Sequence, residues 1–356
     1  MTERQISARS VLAAAAGLGL GLGFRRFSQR KSIDMQGQVV LVTGSSRGLG
    51  FVMAQEFAKE GAHVVLCARS EQGLERARQE LTQAGAEVLA VPCDVSDRHQ
   101  VQNLVDKANN RFGRIDVLVN NAGIITVGPL QTQTLSDFEE SMSIMFWGVV
   151  HPTLAVLPQM LERKSGRVVN ITSIGGKVSV PHLLPYSCAK FAAMGFSEGL
   201  RAELAKEGIR VVTVVPGLMR TGSPVNAFFK GKHRAEHTWF TLSDSLPLVT
   251  SMSARRAARQ VVNATCRGDA ERILTPQAQL ASRFHGLFPG ITTGILGLVN
   301  RLLPHADGVG QERVIGQESE TSASRSFLTA LTQSAARDYH QYGETPDQST
   351  DSIRPG

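Results

Sequence analysis

The stretch VVLVTGSSRGLG, residues 39–50, decides the fold, because it joins a short apolar strand to a glycine-rich turn. A helical pattern follows from Phe51 to Lys59 and ends before Gly61. Small residues in such a turn let the backbone approach a phosphate, and the free N–H groups at the start of the helix attract its charge. The stretch therefore predicts a dinucleotide-binding unit. The predicted contacts in the turn are Gly44, Ser46, Arg47, Gly48, Leu49 and Gly50.

The alternation of strand and helix continues along the chain. Short β-branched runs recur between helical patterns, as in a parallel sheet covered on both faces. The predicted strands are Val39–Val42, Val64–Leu66, Val88–Val91, Val117–Val119, Val168–Ile171, Val211–Val215 and Ile273–Leu274. Right-handed crossovers then predict an α/β fold, namely a Rossmann-like, doubly wound, seven-stranded parallel sheet with helices on both faces.

Composition narrows the class of protein. The chain has 356 residues, of which 42% are hydrophobic and 19% charged, which excludes a disordered chain and a polytopic membrane protein. Its four cysteines are neither paired nor clustered, so a disulfide scaffold is excluded and no metal site is predicted. No Pro/Ser-rich linker divides residues 37–275, which predicts one domain there. An apolar extension over 276–306 and a polar acidic tail over 307–356 follow, and we expect the tail to be partly disordered, chiefly over Gly343–Gly356.

The formal net charge of +7 is unevenly distributed. Residues 37–215 hold 17 Lys/Arg and 17 Asp/Glu, whereas residues 1–36 hold 6 against 2 and residues 216–305 hold 11 against 4. A nucleic-acid binder more often carries an aromatic-laced basic stripe on its main domain. The charge pattern therefore favours membrane proximity and solvated surface, and no nucleic-acid partner is predicted.

The leader contains an apolar run of 14 uncharged residues, Val11–Phe24, with arginines on both sides. As a helix it would be about 21 Å long, shorter than a bilayer core of about 30 Å. We favour a retained membrane anchor or interfacial helix over a cleaved signal or transit peptide and over a disordered extension. The heavier positive flank then places the following domain on the cytoplasmic side. A second apolar run, Leu287–Pro304, is expected to pack against the main domain, with a lid or a membrane-facing helix as the alternative.

The second predicted strand is followed by Ala68 and Arg69. An NAD site usually has an acidic residue near this strand end to bind the ribose 2′-hydroxyl. Arg69 and the Arg47 of the glycine turn suit a 2′-phosphate instead, through charge-assisted bonds. NADP(H) is therefore preferred over NAD(H), and Arg69 as a solvated loop charge is the alternative.

Six short motifs occur in order between residues 37 and 275. They are TGSSRGLG (43–50), CDV (93–95), NNAG (120–123), NITS (170–173), YSCAK (186–190) and PGLMRT (216–221). In this combination the chain resembles the short-chain dehydrogenase/reductase family. The resemblance implies further cofactor contacts from Asp94, Val95, Asn121, Ala122, Gly123, Tyr186, Lys190, Pro216, Gly217 and Thr221. It also implies a homo-oligomer, since members of the family commonly form dimers or tetramers.

The predicted catalytic residues are Ser173, Tyr186 and Lys190. Tyr186 and Lys190 are four residues apart, so on a helix they share one face. We expect the ammonium to lower the pKa of the phenol, so that Tyr186 exchanges a proton with a carbonyl or alcohol oxygen that Ser173 polarises. The resemblance also assigns the nicotinamide ribose to Lys190.

One position departs from the family pattern. Met145 stands where the family usually has an asparagine that supports a water of the proton relay, and a thioether cannot replace an amide. Either water or another side chain, such as Ser141 or Ser143, substitutes, or turnover is slow. A separate string, HRAEH over 233–237, fits a zinc-peptidase pattern but is interpreted as part of a lid helix.

The sequence thus predicts an NADP(H)-dependent oxidoreductase that acts on a small hydrophobic, lipid-like carbonyl or alcohol. Three apolar lid segments favour a hydrophobic substrate: Val225–Phe229, Trp239–Phe240 and Leu246–Val249. The alternatives are an NAD-linked alcohol dehydrogenase and a nucleotide-binding scaffold or redox sensor with little turnover.

Overall fold

Seven parallel strands form the central sheet of the computed structural model, which describes residues 32–245, 251–306, 310–322, 324 and 329–342. The strands are β1 (Val39–Thr43), β2 (His63–Ala68), β3 (Val88–Pro92), β4 (Val117–Asn120), β5 (Gly166–Ile171), β6 (Ile209–Val215) and β7 (Glu271–Ile273). Their order is β7-β6-β5-β4-β1-β2-β3, and every neighbouring pair is parallel. This confirms the predicted fold class. The last strand begins two residues before its predicted position, because the sheet edge leaves Glu271 exposed and without an apolar signal.

Helices cover both faces of this sheet. They are α1 (Gly48–Lys59), α2 (Glu71–Gln83), α3 (Arg98–Phe112), α4 (Leu135–Met142), α5 (Gly148–Arg163), α6 (Leu184–Glu203), α7 (His233–Ser245), α8 (Ala254–Arg267), α9 (Pro276–Leu287), α10 (Pro289–Asn300) and α11 (Ala330–Asp338). On one face α1 and α8 bury Phe57 and Val261 against Val40 of β1. On the other face α3 and α5 bury Leu104 and Met160 against Leu41. Alternate residues of β1 thus face opposite cores. Because both faces of the strand are buried, its first four residues are all apolar, as the sequence shows.

The chain after β7 differs from the prediction for Leu287–Pro304. Helix α10 has no buried residue, so this run does not pack against the main domain as expected. The tail, in contrast, returns to the domain. Val314–Ile315 pairs antiparallel with Phe228–Phe229, and α11 packs near α7.

Several predictions fall on residues that the structure does not describe. These are the leader run Val11–Phe24, the lid candidate Leu246–Val249 and the final stretch Gly343–Gly356. Among the described residues, one helical run, Leu135–Arg163, has the length and hydropathy of a membrane-spanning helix. The part of this run that forms α5 packs against β4, β5 and α3. It therefore covers one face of the central sheet.

Candidate active site

The glycine turn lies after β1, where the strand order reverses and doubly wound sheets bind their ligands. Gly44 has φ +64°, and a Cβ on it would lie 2.8 Å from Cα of Ala122. A Cβ on Gly50 would lie 2.1 Å from the carbonyl oxygen of Gly44. Only glycine fits at these two positions, so the turn packs closely against the segment after β4 and against the first turn of α1. This cradle fits the diphosphate of a dinucleotide.

Thr43 joins the glycine turn to the segment that follows β4. Its hydroxyl accepts hydrogen bonds from the backbone N–H of Asn121 at 2.9 Å and of Ala122 at 3.1 Å. The Asn121 side chain donates to the carbonyl oxygens of Thr43 at 3.0 Å and of Gly44 at 3.1 Å. These four bonds hold Asn121, Ala122 and the adjoining Gly123 beside the glycine turn. The cofactor contacts predicted in the two segments therefore lie close together.

The two cations predicted to select the cofactor follow neighbouring strands. Thr43 of β1 pairs with Cys67 of β2, and the backbone N–H of Ser45 donates to the carbonyl oxygen of Cys67 at 3.1 Å. Arg47 is half-buried at the N-cap of α1, and Arg69 is exposed after β2. The sheet therefore brings the two backbone positions to the same edge.

Asp94 and Val95 follow β3, the next strand along this edge. The Asp94 carboxylate accepts hydrogen bonds from the backbone N–H of Ser96 at 2.9 Å and from its hydroxyl at 2.7 Å. Val95 is 5% exposed and packs in the core, where a Cβ on Gly148 would lie 2.6 Å from its Cγ2. The bound carboxylate and the packed valine give this loop a defined conformation near the glycine turn.

Ser173, Tyr186 and Lys190 come together at the end of β5. Ser173 follows the strand and accepts a 3.0 Å hydrogen bond from the N–H of Gly175, while Tyr186 and Lys190 lie one turn apart on α6. The Ser173 hydroxyl and the Tyr186 ring flank the same glycine, since a Cβ on Gly175 would lie 3.5 Å from Oγ of Ser173 and 3.1 Å from Cε1 of Tyr186. The Lys190 ammonium donates to the carbonyl oxygen of Ile171 at 3.0 Å and lies 5.8 Å from the centre of the tyrosine ring. A hydroxyl, a phenol and an ammonium thus form one cluster.

Burial shifts the two titrating groups of this cluster in opposite directions. It lowers the pKa of Lys190 to about 8, because a charge is costly where the side chain is shielded from water. Burial also raises the pKa of Tyr186, and the neighbouring Ser173 hydroxyl only partly opposes this rise. The lowering of the phenol pKa that we expected from Lys190 is therefore not found in the chain by itself, because desolvation is the larger effect on this phenol.

Two glycines that the sequence analysis did not single out make this cluster possible. They lie in the short 3₁₀ turn Ile174–Gly176 that follows Ser173. A Cβ on Gly175 would lie 3.1 Å from Cε1 of Tyr186, and one on Gly176 would lie 2.7 Å from the carbonyl oxygen of Lys190. The signal in the sequence was the pair of glycines two and three residues after the serine.

Met145 lies in the wall beside the tyrosine. It is fully buried within a π-helical turn, Ser143–Trp147, and packs in an apolar cluster with Ile124 and Ala189. Tyr186 and Phe228 lie against the same cluster. The position that we matched to the asparagine of the family thus belongs to the apolar cluster against which the tyrosine packs. Its π-helical turn is of a kind that is frequent at functional sites.

The PGLMRT turn carries the last group of predicted contacts. The carbonyl oxygen of Pro216 accepts a 2.8 Å hydrogen bond from the N–H of Ile174, which joins the turn to the end of β5. A Cβ on Gly217 would lie 2.5 Å from Oγ1 of Thr275, so the start of α9 crosses directly over this glycine. Thr221 is 5% exposed, and its carbonyl oxygen accepts from the Gln341 side chain at 2.9 Å.

The contact with Gln341 belongs to a segment whose position the sequence did not indicate. We call residues 330–342 the C-terminal cover, because they lie over both the glycine turn and the PGLMRT turn. The carbonyl oxygen of Tyr339 accepts a 2.8 Å hydrogen bond from the N–H of Gly48, and His340 stacks on Phe51 at 4.4 Å between ring centres. The cover thus contacts the start of α1, where the diphosphate of a dinucleotide is expected.

The HRAEH string lies in a helix, α7, as predicted, and the role of this helix as a lid stays a prediction. His233 contacts the hydroxyl of Ser319 at 3.0 Å, whereas Glu236 pairs with His182 at 2.8 Å. Within the described ranges, no group of three or more His, Cys, Asp or Glu side chains is arranged to hold a metal ion.

Known proteins are similar to this chain in sequence and in architecture. The family model described as short chain dehydrogenase matches residues 38–228. A "Dehydrogenase/reductase SDR family protein 7-like" of Anopheles gambiae is 38% identical over 60% of this chain and 69% of its own length. A "Fatty acyl-CoA reductase" of Acinetobacter baylyi is 30% identical over 76% of this chain and 87% of its own.

A solved structure of a ketoreductase is also similar to this chain. A variant of actinorhodin polyketide ketoreductase with NADPH is 32% identical, and the match covers 67% of this chain and 95% of that one with a TM-score of 0.60. The matched residues include the glycine turn, the serine strand, the tyrosine–lysine helix and the turn after β6. The chain belongs to the short-chain dehydrogenase/reductase family and is an oxidoreductase of that family.

Proposed function

We propose that this protein is an NADP(H)-dependent enzyme that interconverts a carbonyl and an alcohol on a small hydrophobic, lipid-like substrate. The observation that carries the proposal is the cluster of Ser173, Tyr186 and Lys190. It places a buried phenol beside a serine hydroxyl, with the centre of the tyrosine ring 5.8 Å from an ammonium, at the end of a strand beside the nucleotide-binding edge.

Each residue of this cluster has a different role in proton transfer. Tyr186 gives its proton to the carbonyl oxygen, and Ser173 hydrogen-bonds to the same oxygen as negative charge develops there. Lys190 binds the ribose of the cofactor and favours the phenolate that remains after transfer. NADPH supplies the hydride when it is bound. Because burial raises the pKa of Tyr186, the phenol stays protonated at neutral pH, which favours reduction of a carbonyl.

The preference for NADP(H) is supported by the two arginines at the nucleotide edge. Arg47 at the start of α1 and Arg69 after β2 follow paired strands, and Ala68 stands where an acidic residue would bind a free ribose hydroxyl. Guanidinium groups suit the geometry and charge of a 2′-phosphate. The related ketoreductase was solved with NADPH.

A hydrophobic substrate is supported by the apolar wall around Tyr186, to which Ile124, Met145 and Phe228 contribute. Such a wall binds hydrocarbon by excluding water and offers few hydrogen bonds to a polar substrate. The name of the acyl-CoA reductase among the relatives points to the same substrate class. We further propose that the enzyme is a homo-oligomer with its catalytic domain on the cytoplasmic side of a membrane.

Oxidation of NADPH and of NADH over a panel of fatty, steroid, retinoid and quinone carbonyls tests this function. On the best substrate, Tyr186→Phe is expected to lower kcat at least about a hundredfold, because it removes the proton donor. Lys59→Met, at an exposed lysine far from the cluster, is the control. Full activity of the Tyr186→Phe variant would refute the mechanism. NADPH binding without turnover of any carbonyl would favour the scaffold alternative instead.

A further inference from the structure

The pair of helices α9 and α10 exposes an apolar surface to solvent. We call residues 276–306 the apolar hairpin. Its exposed side chains include Leu280 at 71%, Leu287 at 74%, Ile291 at 55% and Leu298 at 60%. In α9 only Ala278 is buried, and in α10 no residue is. The hairpin therefore contacts the domain mainly at the start of α9, and its apolar surface has no cover within the described residues.

Helix α10 has the composition of a helix in hydrocarbon. It carries no charged residue on any face. Its two threonines donate their hydroxyl hydrogens to carbonyl oxygens of the preceding turn, Thr292 to Phe288 at 3.0 Å and Thr293 to Pro289 at 3.1 Å. In the absence of water, polar groups must find partners within the segment, and these hydroxyls do. A helix without a charged face is expected in a protein core or in lipid, and α10 is not in the core.

The charge around the hairpin complements an anionic surface. Residues 276–306 contain two arginines, Arg283 and Arg301, and no Asp or Glu. The larger region 216–305 has 11 Lys/Arg against 4 Asp/Glu. Cations beside an apolar helix add electrostatic attraction to membranes that contain anionic lipid.

We propose that the apolar hairpin inserts into one leaflet of a lipid bilayer with anionic headgroups. Each helix has 12 residues and a length of about 18 Å, too short to cross a hydrocarbon core of about 30 Å. Helix α9 begins where Thr275 lies against Gly217, at the sheet edge that carries the reaction site. Insertion would thus hold that edge at the membrane surface. The proposal does not depend on the proposed reaction, and it concerns a different segment from the leader run Val11–Phe24.

Position-specific fluorescence quenching in the full-length protein tests the insertion. Ile295→Trp places an indole on α10, where the native residue is 49% exposed, and Leu130→Trp places one on an exposed site of the domain, where the leucine is 60% exposed. Native Trp147 and Trp239 also fluoresce, so the quenching of the unsubstituted protein is subtracted. Vesicles of brominated phosphatidylcholine and phosphatidylserine are expected to quench the added indole at 295 several-fold more than the one at 130. Replacing phosphatidylserine by phosphatidylcholine is expected to weaken binding about tenfold, because the two arginines lose their anionic partners.

A second pair of variants separates insertion from its alternatives. Ile291→Glu/Leu298→Glu is expected to abolish quenching at position 295, whereas Leu130→Glu/Leu135→Glu leaves it unchanged. Vesicle binding without quenching at position 295 would assign membrane binding to another segment and overturn the proposal. A dimer that the hairpin glutamates dissociate, again without quenching, would overturn it in favour of a second copy of the chain.

Discussion

The backbone N–H of Gly48 donates a 2.8 Å hydrogen bond to the carbonyl oxygen of Tyr339, although the two residues lie at opposite ends of the chain. The C-terminal cover is held there by side chains as well. Gln341 donates to the carbonyl oxygen of Thr221 at 2.9 Å, and His340 pairs with Glu80 at 3.0 Å. One N–H at the start of α1 is thus already satisfied by the chain itself, at the position that would otherwise face a phosphate.

Loosening this cover is expected to strengthen NADPH binding. His340→Ala/Gln341→Ala removes the stacking and the side-chain hydrogen bonds, each worth about 1 kcal/mol, so the Kd for NADPH is expected to fall by up to about a hundredfold. Stopped-flow NADPH fluorescence measures the association rate and the Kd. Leu331→Ala, at an exposed residue of α11, is the control. A rise in the Kd would mean that the cover completes the nucleotide site.

Removing the two arginines is expected to reduce discrimination between the cofactors. Arg47→Ala and Arg69→Ala each remove a cation near the expected 2′-phosphate, so the Kd for NADPH is expected to rise about tenfold while the Kd for NADH changes little. Titration of cofactor fluorescence with the purified variants measures both constants. Arg78→Ala, whose native residue pairs with Glu75 on the surface, controls for loss of charge. Equal losses for both cofactors would contradict the proposed preference.

The contribution of Lys190 to the stability of the cofactor-free protein is expected to rise with pH above about 8. Burial lowers the pKa of Lys190 from 10.5 to about 8, so between these values the unfolded chain keeps a proton that the folded chain has lost. The free energy of unfolding then increases with pH across this window, by about 3 kcal/mol in total.

Urea unfolding of Lys190→Met at several pH values between about 7 and 10 measures this contribution. The variant is expected to lose the rise in stability. Lys59→Met, at an exposed lysine, is expected to keep it. An unchanged slope in Lys190→Met would show that another group is responsible.

The buried ion pair of Lys230 and Asp137 is expected to contribute to stability only as a pair. Lys230 is 3% and Asp137 is 4% exposed, and the carboxylate also accepts hydrogen bonds from the N–H and hydroxyl of Thr134. Lys230→Met leaves the carboxylate charged and buried, so we expect a loss of about 3–5 kcal/mol in the free energy of unfolding.

Chemical denaturation of the single and double variants checks this expectation. Lys230→Met/Asp137→Asn is expected to recover part of the loss, because the unpaired charge is gone. Lys59→Met breaks the exposed pair with Glu56 and is expected to cost less than about 1 kcal/mol. A double variant less stable than Lys230→Met would argue against an unpaired charge as the cause.

The sequence by itself determined the sheet and predicted the grouping of the reaction site. Each apolar strand and each glycine after a helix is a local signal, and parallel strands bring their carboxyl ends to one edge. The spacing of Tyr186 and Lys190 places both on one face of a helix without knowledge of the rest of the chain. Such features follow from backbone geometry over a few residues.

Only the tertiary structure decided the burial of this site and the contacts of the chain ends. The pKa of Tyr186 depends on how much water the surrounding elements exclude, and that exclusion comes from residues such as Ile124 and Met145. The polar tail packs over Gly48 while the apolar run after Leu287 stays exposed, the opposite of what hydropathy alone predicts. Whether a segment is covered depends on contacts between residues distant in sequence, and no local pattern contains them.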